Sequence, residues 1–160
     1  TDENVGVMDG EFHVDGEGLP HLLMKAGGSA RPATEQTVRD REHYVYQEGR
    51  IVYKNAVRDM LSSSQSVMKR NNLSVDDVDW FVPHQANLRI IEAVGGRIKI
   101  PEEKTLVNIQ HYGNTSAASI PLCLDEYKNK LKKGDKIVMT AFGAGFTWGA
   151  MYLIWAIDPK

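Results

Sequence analysis

A chain of 160 residues with a net charge of −2 is long enough for one domain with a real core, and too weakly charged for bulk electrostatics to drive nucleic-acid binding. Its one cysteine, Cys123, excludes an internal disulfide and a multi-cysteine zinc site, which suits a reducing compartment such as the cytoplasm. No run approaches the roughly 18 uninterrupted apolar residues of a membrane span, so no membrane partner is expected.

The start, "TDENVGVMDG", has no initiator Met, basic n-region or apolar h-region, and reads as the beginning of a piece of a longer polypeptide. "VGVMDGEFHVDG" alternates apolar residues as a strand or hairpin does. Residues 16–47 mix Gly, Pro, charge and His with little periodicity, which predicts a long excursion. From Ile51 to Met68 apolar residues recur at helical spacing, predicting a helix over 48–71 that "NN" ends. Ser74 with Asp77 has the spacing of a capping box at one short turn. "VDWFVP" predicts a buried strand at 79–82, and Asn87 an N-cap for a helix to about 97. "TLVNI" (105–109) reads as a strand. "TSAASIPLCLDEYKNKL" reads as a helix whose Pro121 is tolerable only near the first turns. "KIVMTAF" and "FTWGAMYLIWA" flank "GAG" as a hairpin of two strong strands. Strands alternating with helices, then a final antiparallel pair, give an α/β fold: a mixed five-stranded sheet covered by helices.

In open α/β sheets ligands gather beyond the carboxyl ends of strands. His84 follows one predicted strand, Asn114 another, and "FGAGF" (142–146) a third. An imidazole, a carboxamide and a glycine-rich backbone turn can all donate hydrogen bonds to an oxygen that gains negative charge. Each also has a plain structural reading: a satisfied histidine, an N-cap or turn asparagine, the glycines of a tight hairpin. Their joint placement favours a site. Cys123 sits on the apolar face of a helix, where a free cysteine packs as a small hydrophobe, and is not expected to be a nucleophile. His13, His21, His43 and His111 lack metal-ligand spacing, so no metal is assigned. Gly49, Arg50, Tyr53 and Lys54 open the long helix and, with Asn87 and Arg89, could line an entrance for an extended, phosphate-bearing substrate; exposed Lys and Arg on helices are otherwise simply solvated.

"VPHQANLRII", "HYGNTSAASIPLCLDEY" and "AFGAGFTWGA", in this order and spacing, closely resemble the carboxy-terminal half of β-ketoacyl-acyl-carrier-protein synthase III, the initiating condensing enzyme of bacterial and plastid fatty-acid synthesis. The resemblance spans about residue 5 to residue 156. It implies a thiolase-like fold, with residues 1–160 as the second of two similar halves layered against an amino-terminal half that this chain lacks, in a homodimer of the cytoplasm or a plastid. It implies a Cys-His-Asn triad of which His84 and Asn114 are present, the nucleophilic cysteine belonging to the other half; the fragment alone is then expected to be inactive. Phe142 would border the acyl pocket, and the backbone around Gly143, Ala144 and Gly145 would form an oxyanion hole. Gly49, Tyr53, Ala86 and Asn87 would line the pantetheine tunnel; Arg89 and Lys54, and Arg50 beside them, would meet coenzyme A or the acidic carrier protein. Both thioesters are substrates, and no cofactor is implied. The chain has Ala144 where relatives often carry Gly, and Gly95 and Gly96 where several carry basic or helix-forming residues, which leaves Arg97 and Lys99 to supply charge there. A non-catalytic thiolase-fold partner subunit, or a condensing enzyme for another acyl starter, are the alternatives.

Overall fold

The computed structural model describes residues 4–158. The start at Thr1, on which the expectation of a longer polypeptide draws, lies outside them. Among the described residues, six strands and five helices follow in the order β1 (Gly6–Val14), β2 (Leu22–Met24), α1 (Glu35–Arg39), β3 (Val45–Gln47), α2 (Gly49–Arg70), β4 (Trp80–Pro83), α3 (Leu88–Ile98), α4 (Ile109–Tyr112), α5 (Ser119–Tyr127), β5 (Lys136–Gly143) and β6 (Thr147–Ile154), with short 3-10 turns between some of them.

The main sheet has the order β1-β6-β5-β4. β4 and β5 run parallel; β5, β6 and β1 pair antiparallel. Successive side chains of a strand point to opposite faces, and β5 buries both. Val138 and Phe142 pack on one face with Val52, Ala56 and Met60 of α2 and Val94 and Ile98 of α3. Ile137 packs on the other with Cys123 of α5, Val82, Leu106 and Leu131. The result is three layers, helices on both sides of a mixed sheet, which is the thiolase-like α/β arrangement expected.

The long helix, the strand before His84, the helix after Asn87 and the closing hairpin fall within about a residue or two of their predicted bounds, because each carries a strong period. Asn87 Oδ1 accepts the Arg89 N–H at 2.9 Å, as an N-cap does. Pro121 is the third residue of α5, where a missing N–H costs little. α3 runs unbroken through Gly95 and Gly96 to a left-handed cap at Lys99.

Three segments differ from expectation. Residues 16–47 are not a structureless excursion: β2 and β3 form a hairpin, and α1 lies between them behind a Thr34–Thr37 capping box. Three-residue strands and a five-residue helix are too short to register as periodicity. The predicted helix over 115–131 is shorter, a 3-10 turn at Ser116–Ala118 leading into α5. The predicted fifth strand over 105–109 is reduced to a single parallel bridge between Thr105 and Phe81, so the sheet has four strands. The Gln85 side chain explains this. Its Nε2 donates to the Leu106 carbonyl at 3.3 Å, and its Oε1 accepts the Asn108 N–H at 3.0 Å. A side chain thus satisfies backbone groups that a longer ladder would have used.

Phe81 is fully buried between the sheet and α2 and α3. Phe81→Ala is expected to destabilise the protein by about 3–5 kcal/mol. A urea titration checks this: the midpoint falls at unchanged slope, whereas the exposed Lys130→Ala control stays within about 0.5 kcal/mol.

Candidate active site

The parallel pair β4–β5 brings two strand ends to one edge, with Pro83 opposite Thr140. The His84 N–H continues this ladder, donating to the Thr140 carbonyl at 2.8 Å. Thr140 is itself pinned, its hydroxyl donating to the Gly149 carbonyl of β6 at 2.9 Å. His84 is therefore seated by backbone before its side chain is considered. The imidazole is half-buried, with Nδ1 2.6 Å from Ser119 Oγ at the start of α5. Burial lowers its pKa below the usual histidine value, which favours the neutral ring.

Asn114 arrives by a different route from the one expected. It follows α4, not a strand, and Gly113 makes the turn between them at a φ of 65°, a left-handed conformation that side chains with a Cβ rarely adopt. The Asn114 side chain is exposed, and its Oδ1 accepts the Ser116 N–H at 2.9 Å. That bond leaves the amino group of the carboxamide as the end presented outward. At the β5–β6 turn, Gly145 has a φ of 146°, and a Cβ there would stand 2.8 Å from the Thr147 backbone nitrogen. The turn at the third strand end is thus built on a residue without a side chain.

These segments converge on one open cleft of about 1350 Å³. His84, Asn114, Phe142, Gly143 and Ala144 line it; Gly145 does not. Gly49, Arg50, Tyr53, Ala86, Asn87 and Arg89 line it as well, whereas Lys54 is exposed outside it. The Arg89 guanidinium lies 5.7 Å from the centre of the Tyr53 ring, a cation–π contact that joins α2 to α3 at the mouth. Among the described residues, no group of three His, Cys, Asp or Glu side chains is placed to hold a metal ion.

Cys123 does not line the cleft. It is buried, and desolvation together with nearby Glu126 pushes its thiol up to about 12. A thiol of this kind is not a nucleophile at neutral pH.

Sequence reasoning missed the supports. Gln85 is buried, and besides its bonds to Leu106 and Asn108 it donates to the Pro83 carbonyl at 2.7 Å. Asn108 in turn donates from Nδ2 to Glu126 Oε2 at 2.9 Å. This chain of bonds ties the strand end carrying His84 to the segment that leads to Asn114. Ser119 is also buried and touches His84 directly. Phe12, His13 and Trp148 form a far wall, with the rings of His13 and Trp148 stacked 5.2 Å apart. Gln85 and Ser119 lie in the very motifs that drew attention to their neighbours, but nothing in a one-dimensional pattern says which polar residue turns inward.

Two measurements test these placements. Cys123 is expected to resist alkylation at pH 8 in the folded protein and to react once urea unfolds it. Gln85→Ala strands three backbone groups and is expected to cost about 3 kcal/mol or more, read from the urea midpoint.

Comparison with known proteins agrees with this architecture. Residues 68–155 match the family model for 3-oxoacyl-[acyl-carrier-protein (ACP)] synthase III C terminal. The chain is 63% identical over 158 residues to the β-ketoacyl-[acyl-carrier-protein] synthase III of Porphyromonas gingivalis, a match covering 99% of this chain and 47% of that protein. It is 56% identical over 160 residues to synthase III 2 of Bacteroides thetaiotaomicron, covering all of this chain and 48% of the relative. The crystal structure of the synthase III from Aquifex aeolicus superimposes with a TM-score of 0.83 at 37% identity, covering 97% of this chain and 46% of that one. The chain spans about half the length of the curated relatives it matches. It belongs to the 3-oxoacyl-[acyl-carrier-protein] synthase III C-terminal family.

Proposed function

We propose that this chain is the second half of a β-ketoacyl-acyl-carrier-protein synthase III and supplies the His and Asn of its Cys-His-Asn site. The observation that carries the proposal is the convergence of the His84 imidazole, the Asn114 carboxamide and the Phe142–Ala144 strand end on one cleft. The cleft offers hydrogen-bond donors, and the chain's cysteine lies buried with its pKa raised. Such a surface stabilises a developing oxyanion and needs its nucleophile from elsewhere. An amino-terminal half bearing a reactive cysteine fits that need. The exposed apolar side chains Phe12, Val14 and Val45 support a partner surface of this kind.

The resemblance to the synthase III family implies the reaction in which these roles act. An acyl group passes from a coenzyme A thioester to the cysteine of the other half, releasing the coenzyme A thiol. Malonyl-carrier protein then enters, its pantetheine arm running past Gly49, Tyr53, Ala86 and Asn87. The malonyl C–C bond breaks, carbon dioxide leaves, and the electron pair becomes an enolate. His84 Nε2–H and the Asn114 amino group hold the thioester oxygen on which that charge rests. The enolate attacks the acyl-cysteine carbonyl, whose oxygen meets the backbone N–H near Ala144, and the cysteine thiolate departs. The product is a β-ketoacyl thioester on the carrier protein, and no cofactor or metal enters the scheme. Arg50 and Arg89 at the mouth offer positive charge to phosphate and to an acidic carrier. A homodimer in the cytoplasm completes the reading. A purely supporting subunit would have no use for two unengaged donors aimed at one cleft.

The test is condensation of an acyl-CoA with malonyl-carrier protein by the full-length protein. His84→Ala and Asn114→Ala are each expected to lower malonyl decarboxylation by roughly 100-fold to 1,000-fold. Wild-type decarboxylation in both variants would falsify the assignment. The pH profile is a second check. A donor must be a neutral ring, and burial holds the His84 pKa low, so activity persists as pH falls through about 6.5 and is lost only below it.

A further inference from the structure

We infer that Ser119 is a positioning residue that decides which ring nitrogen of His84 carries the proton. The inference rests on the reading of His84 as an oxyanion donor and concerns how that donor is prepared. Ser119 opens α5 and is 2% exposed, so its hydroxyl has no bulk water to turn to. Two groups reach its oxygen: His84 Nδ1 at 2.6 Å and the Gln85 N–H at 3.3 Å. A backbone amide only donates, so the second contact fills a lone pair of the hydroxyl. The hydroxyl proton then needs an acceptor, and Nδ1 is the one within reach among the described residues.

The opposite arrangement is self-defeating. If Nδ1–H donated to the hydroxyl, the oxygen would receive two N–H groups and its own proton would point into a buried space without a partner. Leaving a buried donor unmade is the costlier state. The hydroxyl therefore donates to Nδ1, and the ring keeps its proton on Nε2. The His84 main chain is pinned to Thr140, so the ring pivots only about its own side-chain bonds. Ser119 fixes that pivot and the tautomer together, and Nε2–H is a donor before any substrate arrives. The same two residues that share the hydroxyl, His84 and Gln85, are adjacent in the chain; one bond sets the chemistry and the other fixes the loop.

The experiment uses the full-length protein labelled with 15N at histidine, the His84 ring being assigned from the His84→Gln spectrum. Two-bond 1H–15N couplings distinguish a protonated Nε2 from a protonated Nδ1. Wild type is expected to show His84 as the Nε2–H tautomer. Ser119→Ala is expected to mix the two tautomers and to lower kcat for malonyl decarboxylation by about tenfold or more, with KM within about twofold. Ser119→Thr, which keeps the hydroxyl, restores the single tautomer. An Nδ1–H ring in wild type overturns the inference even if no variant folds. So does a folded Ser119→Ala protein that keeps the Nε2–H tautomer and full kcat. The tautomer is read without turnover. A wild-type protein with Nε2–H and no decarboxylation supports the role of Ser119 and counts against the proposed function instead.

Discussion

The rest of the site depends on one constraint, the parallel pairing of β4 with β5. Parallel neighbours end on the same side, so Pro83 and Thr140 stand opposite each other at the sheet edge. His84 takes the next backbone bond of that ladder. The antiparallel return of β6 then folds the Phe142–Thr147 turn over the same edge. Had β4 run antiparallel to β5, its end would point to the opposite edge, and the imidazole would lie a strand's length from the turn. Strand direction, more than any single side chain, makes one cleft from distant parts of the chain.

That pairing is held by burial on both faces. Val138 and Phe142 meet α2 and α3, while Ile137 and Val82 meet α5 and Leu131. Shifting the register of β5 by one residue would swap these sets and bring Thr140 to the wrong face. The Thr140 hydroxyl, bonded to the Gly149 carbonyl in the buried ladder, adds a polar penalty to any such slip. A buried polar group that finds its partner only in the native register specifies position more than it adds stability.

The parts legible in the sequence are those whose signal is local. The period of α2, the apolar runs of β4, β5 and β6, and the cap at Asn87 each declare themselves within one element. His84 and the glycine turn at 143–145 also stand out locally, since strand ends and turns have their own residue types, whereas Phe12, His13 and Trp148 on the same cleft carry no such signal. What stayed hidden was held by contacts between elements. Gln85 reads as one more polar residue beside His84, yet it reaches over to Leu106 and Asn108 and replaces a fifth strand. Asn114 lines the cleft, but the residues before it form the short helix Ile109–Tyr112 and not the expected strand. The hairpin within residues 16–47 is stabilised by pairing that no short window displays.

The buried polar groups around His84 divide into two kinds of work. Gln85 and Asn108 satisfy backbone, and their bonds run to Pro83, Leu106 and Glu126. They fix where the strand end and the following segment stand. Ser119 satisfies a side chain that faces the cleft. A donor aimed at a developing charge gains most when it needs no reorganisation as the charge appears. That requires both a fixed main chain and a fixed ring, and the two come from different elements: β5 and Gln85 hold the former, α5 the latter. Asn114 follows the same logic on the exposed side, its Oδ1 accepting the Ser116 N–H at 2.9 Å, which fixes the orientation of the carboxamide. Each side chain thus has one polar atom engaged by its own support, Nδ1 of His84 by Ser119 and Oδ1 of Asn114 by Ser116. Two side chains held in place by different elements, with little left to reorganise, suit the donor role proposed for His84 and Asn114.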